Sequence, residues 1–166
     1  MLPLIPIGAA ILSAAVLIKN KLKSNAKKAS HSKLIDYVKS LNIPVDDNGN
    51  FNPDALLPDG KPILFDVMFN TAIFTVDTEL FKALLDYGAN PNICDVNGTP
   101  AIIYAVTHRP YSEQVNTIST LLKYGANPNA MDSDGKTAIF RTNADIILEQ
   151  LKAAGSDLNA VDCTGK

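Results

Sequence analysis

Apolar side chains recur at helical spacing in four stretches of the chain. In residues 29–41, Leu34, Val38 and Leu41 fall at i, i+4 and i+7, which is typical of a helix with one buried stripe. We expect each of the other three stripes to face a core as well. They consist of Leu80, Phe81, Leu84 and Leu85; of Val115, Ile118, Leu121 and Leu122; and of Ile146, Ile147 and Leu151.

One stretch of the chain occurs twice. Residues 84–92 return as residues 121–129 with one substitution, so corresponding positions are 37 apart, a period typical of stacked helical repeats. In each copy two leucines precede a glycine, Gly88 or Gly125, that can end a helix in a left-handed conformation. The Asn-Pro-Asn that follows prevents the helix from continuing, because proline lacks an amide hydrogen. The chain therefore leaves each helix and runs extended.

A tight turn comes next in both copies. Asn97-Gly98 and Asp134-Gly135 are strong signals for a short hairpin, which we call a finger. Together these features resemble the ankyrin repeat, whose pattern runs Asp-x-x-Gly-x-Thr-Pro-Leu-His, two helices ending in Leu-Leu, and Gly-Ala-x-x-Asn. The resemblance implies an all-α ankyrin-repeat solenoid of helix-turn-helix repeats with hairpin fingers. The repeats would span residues 59–94, 95–131 and 132–161, with a fourth starting at 162.

The copies also depart from the family pattern. The family's histidine is missing from all three, where the corresponding segments end in Leu64, Ile102 and Ile139. Copies one and two carry extra residues at 70–77 and 107–113, and copy three is shortened around residues 142–144. Insertions in a solenoid are expected in loops on one face.

Residues 30–58 precede the first clear copy. We expect a capping helix followed by an extended connection, because a solenoid exposes apolar surface at its ends unless a helix covers it. The Asp46-Asp47-Asn48-Gly49 turn belongs to that connection. The segment can equally be a degenerate repeat.

The N-terminus differs in composition from the rest of the chain. Residues 1–18 form an apolar segment without a charged side chain, near the lower length limit for a membrane-spanning helix. Residues 1–30 hold five lysines, at 19, 21, 23, 27 and 28, and no acid; the remainder has 15 − 5 = 10 basic and 17 acidic groups, a balance of −7. We expect residues 1–18 to be an N-terminal apolar helix that anchors the chain. Residues 19–29 would be a basic juxtamembrane linker, with the repeats on the cytoplasmic side.

Two other interpretations of this segment stay open. It can be a cleaved leader, with residues 24–26 as the cleavage site, although a leader carries its positive charge before the apolar region and here it comes after. The protein would then be periplasmic or secreted. It can also be a buried or peripheral helix of a soluble protein.

The composition offers little for catalysis or for binding metals and cofactors. Cys94, Cys163, His31 and His108 are the only cysteines and histidines, and they lack zinc-ligand spacing. The two cysteines lie two fingers apart, too far for a disulfide. His108 near Glu113 lacks a nucleophile beside it, and the finger aspartates lack the ligand density of calcium sites. We therefore expect no enzyme activity, cofactor, metal or small-molecule substrate, and the acidic balance disfavours nucleic acid.

The function that the resemblance implies is a non-catalytic scaffold binding a protein partner on a concave surface of finger tips and first-helix ends. Tyr104, Arg109 and Tyr111 are added because tyrosine and arginine dominate interface energetics. The partner-binding residues predicted in this way are Lys61, Phe69, Asn70, Val96, Asn97, Thr99, Tyr104, Thr107, His108, Arg109, Tyr111, Ser133, Asp134, Lys136, Thr142 and Asn143. Two alternatives are an exported bacterial protein that neutralises or stabilises a specific enzyme, and the docking arm of a larger enzyme continuing past Lys166.

Overall fold

The structure is a computed structural model that describes residues 7–68, 78–108 and 111–165, with the backbone alone at residues 7–20, 22, 111 and 112. Its elements are helical. In chain order they are α1 (Ile7–Ser40), α2 (Ile63–Met68), α3 (Thr78–Tyr87), α4 (Ala101–His108), α5 (Tyr111–Lys123), the 3-10 helix η1 (Ala138–Arg141) and α6 (Asp145–Ala153). The described residues contain no strand, which confirms the all-α prediction; single antiparallel bridges join Leu56 to Pro62 and Cys94 to Pro100 at the base of two fingers.

The elements stack in pairs. The pairs are α2 with α3, α4 with α5, and η1 with α6; α4 packs on α2 and η1, and α5 packs on α6. The first helix of the third pair is a single 3-10 turn of four residues, where the sequence is shortened. Each pair corresponds to one copy of the sequence repeat.

The predicted stripes supply most of the core. Leu80, Phe81, Leu84, Leu85, Ile118, Leu121, Ile147 and Leu151 are buried, while Val115 and Leu122 are partly buried. The prediction for Ile146 was wrong, because its side chain is 53% exposed. Ile147 and Leu151 are four residues apart and already fill the inner face of α6, so Ile146, one residue earlier, is turned about 100° away from it.

Helix α1 is continuous through residues 19–29, the segment interpreted as a linker, and its C-terminal half packs on α3. Leu34 and Val38 of the predicted stripe are fully buried and Leu41 is partly buried. Tyr37 donates its hydroxyl to Asp66, and burial together with that bond raises the pKa of Tyr37 above its ordinary value.

Only part of the segment predicted to be an N-terminal apolar helix, residues 1–18, is described by the structure. Residues 1–6 of the predicted apolar helix lie outside the described residues. Across the parts of the chain that the structure describes, no helix combines the length and apolarity needed to cross a membrane.

Short polar side chains join each pair of helices to the next. These side chains are Asp54, Asn92 and Asn129. One oxygen of each accepts the backbone N–H of a residue 28–36 positions later, and the two asparagines also donate their side-chain amide to a glycine carbonyl. The bonds run from Asn90 N to Asp54 at 2.8 Å, from Asn127 N to Asn92 at 2.6 Å and from Asp157 N to Asn129 at 2.7 Å, with Asn92 donating to Gly125 O and Asn129 to Gly155 O at 3.1 Å each.

Candidate functional site

The second and third fingers are each closed by the carboxylate of an aspartate at the start of the turn. Asp95 Oδ1 accepts the backbone N–H groups of Asn97 at 2.9 Å and Thr99 at 2.8 Å. Asp132 holds Asp134 and Lys136 in the same way, at 2.9 and 3.0 Å. These hydrogen bonds fix the exposed side chains of the two fingers on a defined backbone.

Two pairs of neighbouring fingers touch each other at a glycine. A Cβ built on Gly60 would lie 2.7 Å from Cγ1 of Val96, so the Val96 side chain covers this glycine. Between the third and fourth fingers, the backbone N–H of Cys163 donates to the backbone carbonyl of Asp134 at 3.2 Å, beside Gly135. Val96 and Cys163 occupy the same finger position, directly after the turn aspartate. This position therefore makes the contact between the first and second fingers and between the third and fourth, whereas a Cβ built on Gly98 would have no neighbour within 4 Å.

The predicted partner-binding residues divide into exposed, partly buried and undescribed ones. Val96, Asn97, Thr107, His108, Ser133, Asp134 and Asn143 are exposed, whereas Lys61, Thr99, Tyr104, Lys136 and Thr142 are partly buried. Phe69, Asn70 and Arg109 lie outside the described residues, as does the side chain of Tyr111. The described members lie on fingers or at the ends of first helices, except Tyr104, which lies in the middle of α4.

Aromatic stacking positions His108 at the end of α4. Its ring stacks on Tyr104 with centroids 4.2 Å apart, and Tyr104 in turn meets the edge of Phe65 in the preceding repeat. Thr107 Oγ1 lies 2.6 Å from His108 Nδ1 and donates to the carbonyl of Ile103 at 3.0 Å. These contacts hold the exposed His108 ring against the partly buried Tyr104.

Arg141 ends η1 and was not predicted. Its guanidinium donates to Asp132 through Nε at 2.9 Å and through Nη2, and Nη2 also donates to Asp134 at 2.9 Å. Burial alone would raise the pKa of Asp132, but backbone N–H donors and Arg141 outweigh it, so the pKa lies below its ordinary value. The hydrogen bond from Arg141 to Asp132 raises the arginine pKa in turn. Arg141 therefore links the third finger to η1, the first helix of the same repeat.

A second feature missed from the sequence is a row of exposed side chains, one per finger, that we call the finger column. It consists of Leu56, Cys94, Met131 and Val161. Leu56, Met131 and Val161 are 61%, 55% and 59% exposed. The last three column residues directly precede a turn aspartate, and the matching bridges of Leu56 and Cys94 give them equivalent places. Aligning the copies on their turn aspartates would have shown Cys94, Met131 and Val161.

Two cavities adjoin this framework. One of about 350 Å³ lies between the third and fourth fingers and has Met131, Asn159 and Val161 in its wall. The other, of about 260 Å³, lies where α1 crosses α3 and α5 and is lined by Lys27, His31, Glu79, Asp86 and other residues. Within the ranges that the structure describes, no group of three histidine, cysteine or acidic side chains is placed to hold a metal ion.

The comparison with known families identifies the repeats. A family model described as "Ankyrin repeats (3 copies)" matches residues 68–162, more than half of the chain. The chain therefore belongs to the ankyrin-repeat family, which confirms the resemblance drawn from the repeated stretch and the finger turns. Ankyrin repeats are a module for protein–protein interaction and are generally non-catalytic. The implied partner is a protein.

Proposed function

We propose that the chain is a non-catalytic scaffold that binds a protein partner on one surface, made of the finger turns and the exposed ends of the first helices. The observation that carries this proposal is the fixed geometry of the fingers. The turns of the second and third fingers are closed by Asp95 and Asp132, and Val96 and Cys163 contact the preceding finger. A finger backbone that is already ordered loses little conformational entropy on binding, and this preorganisation favours affinity.

Site-specific photo-crosslinking tests this proposal in the cell of origin. A photoreactive residue at Val96 reports on the fingers, and one at Glu149, which is exposed on α6 and outside the finger segments, is the matched control. We expect a covalent adduct with a protein from the Val96 position alone. Adducts formed equally from both positions, or from Glu149 alone, would move the binding surface away from the fingers.

We further propose that residues 1–18 tether the repeats to a membrane, with the repeats on the cytoplasmic side. This proposal is supported by the sequence: an uncharged apolar segment is followed directly by Lys19, Lys21 and Lys23, and such lysines mark the cytoplasmic side of an anchor. The exported alternative, in which the chain neutralises or stabilises an enzyme outside the cytoplasm, places the same binding surface in another compartment.

Membrane fractionation with intact mass and protease protection distinguishes these localisations. The anchor predicts a membrane-bound protein that retains residues 1–18 and has protease-accessible repeats only when the cytoplasmic side is exposed. A soluble exported protein that begins near Lys27 would contradict the anchor and support the alternative, and it would leave the finger surface untouched as the binding site.

A further inference from the structure

We infer that the partner presents a basic amphipathic α-helix that lies across the fingers, along the direction in which the repeats stack. This inference rests on the proposed function and adds the chemistry of the partner. It starts from the distribution of apolar surface. Of the seven large hydrophobic side chains that are exposed among the described residues, five lie on fingers: Leu56, Val96, Met131, Leu158 and Val161. Three of these five, Leu56, Met131 and Val161, belong to the finger column.

The finger column is continuous at its C-terminal end. Met131 and Val161 line the same cavity although they belong to different fingers, so a side chain placed between them would contact both. Val96 reaches the turn of the first finger over Gly60, which links the N-terminal end of the row. A partner that follows the fingers therefore meets apolar side chains at each step.

The spacing of the column favours a helix as the partner. Stacked helices lie about 8–10 Å apart, so equivalent finger positions advance by about that distance per repeat. An α-helix advances about 10.5 Å in seven residues and returns to nearly the same face. Apolar side chains at i, i+7 and i+14 of a helix would thus meet successive members of the column. An extended strand covers the distance in about three residues, which turns every second contact to the wrong face.

The net negative charge of the fingers favours a positively charged partner helix. The four finger segments 54–62, 92–100, 129–137 and 157–165 contain seven acids, namely Asp54, Asp59, Asp95, Asp132, Asp134, Asp157 and Asp162, and two lysines, Lys61 and Lys136. Arg141 pairs with Asp132 and Asp134, so the balance is 2 + 1 − 7 = −4. Lysine or arginine flanking the apolar positions of a partner helix would complement this field.

Synthetic peptides test the inference against the full-length chain. Three lysine-rich peptides of about 22 residues are compared: one helical with leucine at every seventh position, one with leucine at alternate positions, and one with proline at every third position. The third is included because a polyproline II segment also repeats after about 9 Å. We expect the first peptide alone to bind, with a rise in helical circular dichroism.

Two single variants locate the peptide. Met131→Asp places a charge in the finger column, and Ile146→Asp makes the same kind of change at a similarly exposed apolar residue on α6. We expect Met131→Asp to weaken binding about tenfold or more and Ile146→Asp to leave it unchanged, because desolvating a carboxylate in an apolar contact is costly.

The outcomes distinguish the inference that the partner is a helix from the proposal that the fingers are the binding surface. Preferential binding of the alternating or proline-rich peptide, or equal losses for the two variants, would overturn the helical partner. Failure of all three peptides would overturn it too. A protein adduct at Val96 in that case would leave the proposed function standing, whereas its absence would remove both.

Discussion

The side-chain amide of Asn92 donates to the backbone carbonyl of Gly125 at 3.1 Å, which joins the end of one repeat to the end of the next. The same side chain accepts the N–H of Asn127 at 2.6 Å, so both of its polar atoms serve one junction. Asn129 repeats the arrangement with Gly155 and Asp157. The second asparagine of each Asn-Pro-Asn is thus the residue that sets the spacing of the fingers.

Asn92→Ala removes two hydrogen bonds between repeats. We expect the free energy of unfolding to fall by about 1 kcal/mol, because each bond is exposed to competition from water. Urea unfolding followed by circular dichroism measures the change. Asn116→Ala, at an exposed position on α5, is the matched control and should be neutral or slightly stabilising, since alanine favours helix. Equal losses in the two variants would show that the junction contributes nothing.

Gly60 and Gly98 have nearly the same positive φ, +79° and +76°, but different surroundings. Alanine at either position adopts a left-handed conformation at a cost of about 1–2 kcal/mol. Gly60→Ala also meets Val96, so we expect it to be the more destabilising, by about 0.5–1.5 kcal/mol for the displaced rotamer. The measurement is urea unfolding of both variants, alone and combined with Val96→Ala. The difference should disappear in the Val96→Ala background, and its persistence would refute the finger contact.

Leu121, on α5, is fully buried. Leu121→Ala leaves a cavity and should lower the free energy of unfolding by about 2–5 kcal/mol. Leu158→Ala is the control, because Leu158 is 60% exposed and should cost little. Since each repeat relies on its neighbours, we also expect hydrogen exchange in Leu121→Ala to accelerate in the adjacent helices α3 and α6. Acceleration confined to α5 would contradict that coupling.

Asp132 links stability to pH. Its pKa in the folded protein lies below the ordinary 3.8, because backbone N–H donors and Arg141 outweigh the effect of burial. A lowered carboxyl pKa stabilises the fold above the unfolded pKa, and the contribution is lost as pH falls through the folded pKa. Asp132→Asn should therefore destabilise clearly at pH 7 and less at about pH 3.

Urea unfolding of wild type and Asp132→Asn at both pH values checks this sign. Asp134→Asn is the control, because Asp134 is an exposed acid that pairs with the same arginine but does not close the turn. Its effect should be small at either pH. If Asp132→Asn lowers the free energy of unfolding more at acidic pH than at pH 7, the folded protein does not favour the ionised carboxylate.

The repeated stretch was enough to predict the stack of helices, because helix ends and turns depend on local chemistry such as Gly88 and Pro91. Ile146 was misassigned because it was grouped with its neighbour Ile147. Leu151 is four residues from Ile147, which is a helical spacing, but five from Ile146, which is about 140° around the helix. Arg141 was missed, since its ion pair with Asp132 depends on the 3-10 turn that shortens the third repeat.

The candidate site was predicted in part. The exposed tips Val96 and Asp134 followed from the turn pattern. The finger column was missed because Leu56, Met131 and Val161 read individually as ordinary apolar residues, and only the stacking of equivalent positions makes them one surface. Leu56 is hardest to find, since Leu57 replaces the turn aspartate of its finger.

The most direct test of the finger surface is the affinity of the crosslinked partner, once purified, for three full-length proteins measured by isothermal titration calorimetry. These are the wild type, the finger double variant Val96→Asp/Met131→Asp, and the α6 variant Ile146→Asp. We predict a loss of about a hundredfold for the finger variant, as expected for two central contacts, and no change for Ile146→Asp. Undiminished binding by the finger variant, or a larger loss from Ile146→Asp, would contradict the assignment of this surface.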